Sequence, residues 1–154
     1  MKALKWGVMT FAMSSFLLAG CGEDLTQPPK GEMLTTNHKE KALIGDYCWK
    51  ADGEKTCEEA EKTPQEMLKK ADAIPVTMET AVSFKVDSED KPSSAKISWV
   101  TEKGEKGEQK MDSTLFIAPK ERGIYYYTIE ATWDGSGENK FEGTAEYNYK
   151  VKIQ

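Results

Sequence analysis

The side chains able to carry chemistry are few. There is one histidine, His38, and three cysteines, Cys21, Cys48 and Cys57, set against 26 acidic residues in a chain of 154. A Ser-His-Asp or Cys-His relay needs an imidazole held in a packed site. His38 instead lies in GEDLTQPPKGEMLTTNHKEK, a polar stretch with two adjacent prolines and little apolar periodicity. Hydrolysis by those routes, and zinc sites of the Cys/His kind, have nothing to build on. Carboxylates are abundant enough to pair by chance, but none stands in an apolar run that would raise its pKa. Asp134-Gly135-Ser136-Gly137-Glu138-Asn139 places oxygen ligands at alternate positions but lacks the spacing and terminal Glu of an EF-hand loop, so it reads as a hairpin turn. Asp87, Glu89 and Asp90 are discounted as calcium ligands in the same way, and Glu58, Glu59 and Glu61 read as a solvated face beside the hairpin. No catalytic residue, metal site or cofactor is expected.

Aromatic residues offer the better binding hypothesis. Tyr126 falls on the opposite parity from Tyr125 and Tyr127, and Trp49 flanks a hairpin on the opposite face from Cys48. Together they would form a platform for a polysaccharide or an envelope protein. The competing account packs Trp49 against a short helix at Met67 and Leu68.

The cysteines divide into one and two. Lys2 and Lys5 precede an apolar run from Trp6 to Leu18, and Ala19 and Gly20 close it. That is the three-part order of an export signal, too short and too interrupted by Ser and Thr to prefer spanning a bilayer. Leu18-Ala19-Gly20-Cys21 resembles the lipobox of bacterial lipoprotein signal peptides at all four positions. The resemblance implies that residues 1–20 are removed and that the Cys21 thiol carries a diacylglyceryl group. The chain would then be extracytoplasmic and held on the cell membrane by lipid. Each buried methylene contributes about 0.8 kcal/mol, and two acyl chains hold where one does not. Gly22 follows, with no Asp to suggest inner-membrane retention. Loss of Lys2 and Lys5 takes the net charge from −5 to −7, a balance that repels phosphate backbones and argues against nucleic acid.

The other two cysteines meet by register. Asp52-Gly53 is a strong two-residue hairpin signal between strand-like runs. With those two in the loop, Ala51 faces Glu54, Lys50 faces Lys55, Trp49 faces Thr56 and Cys48 faces Cys57. Counting outward makes the cysteines a non-hydrogen-bonded pair with Cα atoms about 4.5 Å apart, at the short end of disulfide geometry. Outside the cytoplasm such a bridge persists. A redox dithiol is the rival, but there is no C-x-x-C.

The elements that must position these residues are mainly strands. Residues 21–41 have the composition of a tether, and order is expected from Ala42. Thr63-Pro64-Gln65-Glu66 combines a cap, Pro at the first helical position and Glu at the third, so a short helix is expected before Pro75. From Val76 the apolar period becomes two. Val82, Phe84 and Val86 alternate, then Ile97 and Trp99, then Met111, Leu115 and Ile117 more loosely. Tyr125, Tyr127, Ile129, Ala131 and Trp133 share one face of the next run. Ala145, Tyr147, Tyr149, Val151 and Ile153 share one face of the last.

Short strands separated by polar turns predict an antiparallel β-sandwich. Glu121-Arg122-Gly123-Ile124-Tyr125-Tyr126-Tyr127 resembles the D-x-G-x-Y-x-C entry to strand F of immunoglobulin-like domains, with Glu for Asp and Tyr127 in place of the cysteine. That resemblance makes Tyr125 a tyrosine corner. Trp99 follows Phe84 by fifteen residues, close to the gap between the strand B core position and the strand C tryptophan. It covers about residues 75–154, with a disulfide hairpin and a short helix before it. The lipobox, the G-x-Y-C-W hairpin, the T-P-x-E-M-L connector and the G-I-Y-Y-Y strand together are similar to small Gram-positive lipoproteins. The expected organisation is a signal peptide (1–20), a lipidated tether (21–41) and a β-sandwich domain (42–154). The expected role is non-enzymatic binding at the envelope, with a carboxylate-based hydrolase of wall polymer as the alternative and a thiol-redox protein third.

Overall fold

The structure is a computed structural model that describes residues 26–51, 53–136 and 141–154. Cys21, the expected signal segment, Asp52 and residues 137–140 lie outside the described residues. Two sheets pack face to face. The smaller is built from β1 (Gly31–Leu34), β2 (Lys39–Lys41), β6 (Ala81–Val86) and β9 (Leu115–Ile117) in the order β2-β1-β6-β9. The larger contains β3 (Leu43–Ala51), β4 (Glu54–Glu58), β7 (Ser94–Thr101), β8 (Lys106–Gln109), β10 (Gly123–Asp134) and β11 (Glu142–Ile153). Its order is β4-β3-β11-β10-β7-β8, and β5 (Ile74–Val76) joins parallel to β11. Every other pairing is antiparallel.

The long hairpin β10–β11 is the centre of the molecule. Its period of two places Tyr127, Ile129, Ala131 and Trp133 from one strand, and Ala145, Tyr147, Tyr149 and Val151 from the other, at 0–1% exposure. Their cross-strand register, Tyr127 with Tyr149 and Ala131 with Ala145, sets one apolar face against the small sheet. Across that interface Phe84 meets Tyr147 at 5.1 Å and Phe116 meets Tyr127 at 5.3 Å between ring centroids. β11 divides its other edge: residues 142–148 pair with β3 and residues 151–153 with β5.

The helix forms as its cap dictates. α1 (Pro64–Met67) starts at Thr63, whose hydroxyl accepts from the Glu66 amide while the Glu66 carboxylate accepts from the Thr63 amide at 3.0 Å. Those two bonds satisfy donors that a helix start leaves open, and they hold the Glu66 carboxyl below its usual range.

Three expectations need correcting. Order does not begin at Ala42: β1 and β2 lie within the stretch read as a tether, and Met33 is fully buried. Gly31 explains the entry, because a Cβ there would lie 2.4 Å from Tyr147 Cδ1; only glycine lets β1 approach so closely. The parity of β9 is also reversed. Phe116 is the core residue at 3% exposure, whereas Leu115 and Ile117 are 46% and 53% exposed on the outer face. Finally, Trp99 is half-buried rather than central. It packs edge-on against Tyr125 at 5.3 Å and over Gly107, where a Cβ would lie 2.4 Å from its ring.

Candidate functional site

The hairpin β3–β4 has the register derived from the loop count: Ala51 opposite Glu54, Lys50 opposite Lys55, Trp49 opposite Thr56 and Cys48 opposite Cys57. Gly53 supplies the left-handed turn position with φ +82°. The two cysteines are bonded, with Cα atoms 4.0 Å apart. β4 is exposed at all five positions, so the bridge holds a strand that contributes no side chain to the core.

The aromatic platform does not form. Trp49 is 1% exposed and turns inward, where it meets Trp133 edge-on at 5.0 Å and Phe141 at 5.5 Å. Room for it comes from Gly143 on β11, directly opposite, where a Cβ would lie 2.7 Å from the indole. The alternative packing against Met67 and Leu68 is replaced by this three-ring cluster. Tyr126 does lie on the outer face of the sheet, but it too is buried, at 7% exposure. The connector after β4 folds over this region. Leu68 is buried, α1 lies against β10 and β11, and Lys150, the cross-strand neighbour of Tyr126, donates to the Ala71 carbonyl at 3.0 Å. Burial, then the nearby Glu102 carboxylate, pushes the Tyr126 phenol up.

Of the residues expected to be structural, Phe84 and Tyr127 are core, at 1% and 0% exposure. The Tyr125 hydroxyl donates to the Glu121 carbonyl, four residues upstream, at 3.1 Å. Asp90 ties its loop to the β10–β11 hairpin: its carboxylate accepts from the Phe141 amide at 2.9 Å and its carbonyl from Trp133 Nε1 at 3.1 Å. His38 is exposed in the β1–β2 turn. Among the described residues no group of three or more His, Cys, Asp or Glu is placed to hold a metal ion.

Two surface features were missed by sequence reasoning. An open groove of about 470 Å³ lies where β7, β10 and β11 end, lined by Arg122 and by Ile124 with its cross-strand neighbours Lys152 and Glu102. Arg122 is the one arginine among 21 basic residues, and its planar fork suits carboxylate or phosphate better than lysine does. The second is an acidic row on the outer face of the large sheet. A bulge in β3 sets Gly45 and Asp46 against Glu146 alone, and Glu130 faces Glu146 from β10. The Glu146 carboxyl is pushed up by burial first and then by the Asp46 and Glu130 charges, with a backbone hydrogen bond from Asp46 opposing. Beside it Thr128 donates to Asn148 Oδ1 at 2.7 Å. Neither feature has a motif; each is assembled from strands distant in sequence.

A scan against protein-family models found no match. A search of curated proteins found none either. The class of protein is therefore defined by architecture: a disulfide-stapled, two-sheet antiparallel β-sandwich.

Proposed function

We propose that this chain is a membrane-anchored extracytoplasmic lipoprotein whose sandwich is a non-enzymatic binding or accessory domain of the cell envelope. The observation that carries the reading is Leu18-Ala19-Gly20-Cys21 placed directly after a basic and then apolar segment. The Cys48–Cys57 bridge supports it, because such bonds persist in oxidising compartments and because it leaves Cys21 as the one thiol outside a disulfide. An immunoglobulin-like frame is part of the proposal: the order β11-β10-β7-β8 follows G-F-C-C′, and the Tyr125 back-bond sits at the expected corner.

Binding is favoured over hydrolysis by the open form of the Arg122 groove, which suits an extended envelope polymer or protein segment better than a sequestered reaction. A carboxylate-based hydrolase of wall polymer draws on one observation, the raised Glu146 carboxyl, which could serve as a general acid. Fractionation of cells carrying Cys21→Ala tests the anchor: the protein moves from membranes to the soluble fraction. Unchanged membrane retention defeats the lipoprotein reading. Loss of wall-polymer cleavage in Glu146→Gln, measured on purified wall, would favour the hydrolase instead.

A further inference from the structure

The outer face of the small sheet differs in character from the rest of this acidic chain. Cross-strand register assigns it residue by residue. Met33, Phe84 and Phe116 point into the core, so their neighbours Glu32, Leu34, Ala81, Ser83, Lys85, Leu115 and Ile117 point out. Lys39 and Lys41 pair with Leu34 and Glu32 and share that face. Leu34, Ser83 and Leu115 then form one row across the sheet, and Ala81 and Ile117 form the next. Leu115 and Ile117 are two of the three large hydrophobic side chains that stand exposed among the described residues. Lys39, Lys41 and Lys85 are exposed around them, against two carboxylates on the face: Glu32, paired to Lys39 at 2.8 Å, and the exposed Asp112, bridged directly opposite Leu115. The opposite, outer face of the large sheet carries the acidic row of Asp46, Glu130 and Glu146. That outer face also carries Lys96 opposite Glu130, and Lys150 and Lys152 on β11, so it is mixed in sign, whereas the outer face of the small sheet is partly apolar and rimmed by lysines.

The first described residues lead directly into β1 of this sheet. Pro28 and Pro29 are buried, Tyr147 donates to the Pro29 carbonyl at 2.7 Å, and Asp87 donates to the Lys30 carbonyl at 2.8 Å, so the backbone leaves the domain beside the end of β6. Cys21 precedes the first described residue, Thr26, by five positions, a span of at most about 18 Å.

The geometry points to a membrane-docking face: the outer surface of β2-β1-β6-β9 lies on an anionic phospholipid bilayer, with Lys39, Lys41 and Lys85 at the headgroups and Leu115 and Ile117 at the acyl boundary. This rests on the reading of Cys21 as the lipid anchor. The short link brings the domain within reach of the bilayer, the three lysines match its negative surface potential, and the two exposed aliphatic side chains stand between them. Each lysine near such a surface is worth roughly a fivefold gain in association, and the exposed aliphatic pair adds burial.

The test imposes the anchor chemically. The chain from Cys21 onward, which contains all eleven strands, is coupled through that thiol to a maleimide lipid in vesicles of phosphatidylglycerol or phosphatidylcholine. Lysine acetylation is then followed by mass spectrometry. On phosphatidylglycerol, Lys39, Lys41 and Lys85 are expected to react at least roughly fivefold more slowly than in the unanchored chain, while Lys96 and Lys152 on the large sheet are unchanged. Protection weakens on phosphatidylcholine and with Leu115→Ser plus Ile117→Ser, both exposed positions, with folding checked by circular dichroism. Uniform labelling, protection of Lys96 and Lys152 instead, or protection that grows with protein concentration in the absence of vesicles would each overturn the proposal, the last in favour of pairing between copies. Because the maleimide link does not depend on cellular acylation, failure here is separate from failure of the Cys21→Ala fractionation.

Discussion

Two neighbouring tyrosines on one face of β10 should respond to the same substitution with opposite signs. Tyr125 is 4% exposed and its hydroxyl donates to the Glu121 carbonyl at 3.1 Å. Phenylalanine keeps the ring, and with it the contacts to Trp99 and Tyr127, but deletes that bond. Glu121 is exposed, so water can take up its freed carbonyl, and the loss should be about 1 kcal/mol. In a domain of this size that lowers Tm by roughly 3–5 °C. Tyr127 is fully buried, packed on Phe116, and its hydroxyl has no hydrogen-bond partner among the described residues. Removing a desolvated, unpaired hydroxyl while keeping its ring relieves a cost of about 1–3 kcal/mol, less whatever packing the oxygen contributes. Tyr127→Phe should therefore be neutral or stabilising by about 1 kcal/mol. Urea unfolding followed by circular dichroism measures both, and equal m-values show that the denatured states are comparable. A loss for Tyr127→Phe as large as that for Tyr125→Phe would refute the reasoning, as would a Tyr125→Phe effect below about 0.3 kcal/mol.

Trp49→Ala removes the ring at the centre of the Trp133 and Phe141 cluster and should cost about 3–5 kcal/mol, seen as loss of cooperative unfolding rather than as a binding defect in an intact fold. Replacing Cys48 and Cys57 together by serine should cost up to about 2–3 kcal/mol for a loop this short, with hydrogen exchange rising first in β4. All six tyrosines have phenols raised by burial. A raised folded pKa means the unfolded chain gives up its protons first, so this stability is fully present below pH 10 and lost as pH rises above it. The urea midpoint should fall steeply above pH 10, with the three most deeply buried phenols, Tyr127, Tyr147 and Tyr149, losing their protons only as the protein unfolds; tyrosinate absorbance of all six in folded protein near pH 10 would contradict it. Glu146→Gln should raise the urea midpoint at pH 7, because the carboxyl is held above its ordinary value, and the gain should shrink near pH 4, where the native carboxyl is already protonated.

What could be read from the residues was what local arithmetic determines. The Cys48–Cys57 register follows from a two-residue loop and the alternation of pair types. The Thr63–Glu66 cap follows from four residues in a row, and the faces of β10 and β11 follow from a period of two sustained over twelve residues each. What could not be read was what a distant strand decides. Trp49 turns inward because Gly143, ninety-four positions later, leaves a space opposite it. Tyr126 has outward parity and is nonetheless covered, because Lys150 pins the connector at Ala71 over that face. Leu115-Phe116-Ile117 is apolar throughout, so alternation alone does not choose the inner residue; pairing with β6 puts Phe116 beside Val82 and decides it. β1 was hidden by being four residues long with a glutamate between Gly31 and Met33.

The same distinction explains why the disulfide sits where it does. Most strands of this sandwich bury at least one side chain, and burial at about 25 cal/mol per Å² of apolar surface is what retains a strand. β4 buries none, and its one neighbour is β3. Backbone hydrogen bonds contribute little net stability where water competes for the same groups, so an edge strand of this composition would fray. A covalent link to the directly opposite residue supplies the retention that burial does not. It also preserves a polar edge: Glu54, Lys55 and Glu58 stay exposed and charged on the outermost strand, which discourages pairing with another chain. An apolar β4 could have been held by packing, but it would have presented a sticky edge; the bridge allows the strand to be both charged and fixed.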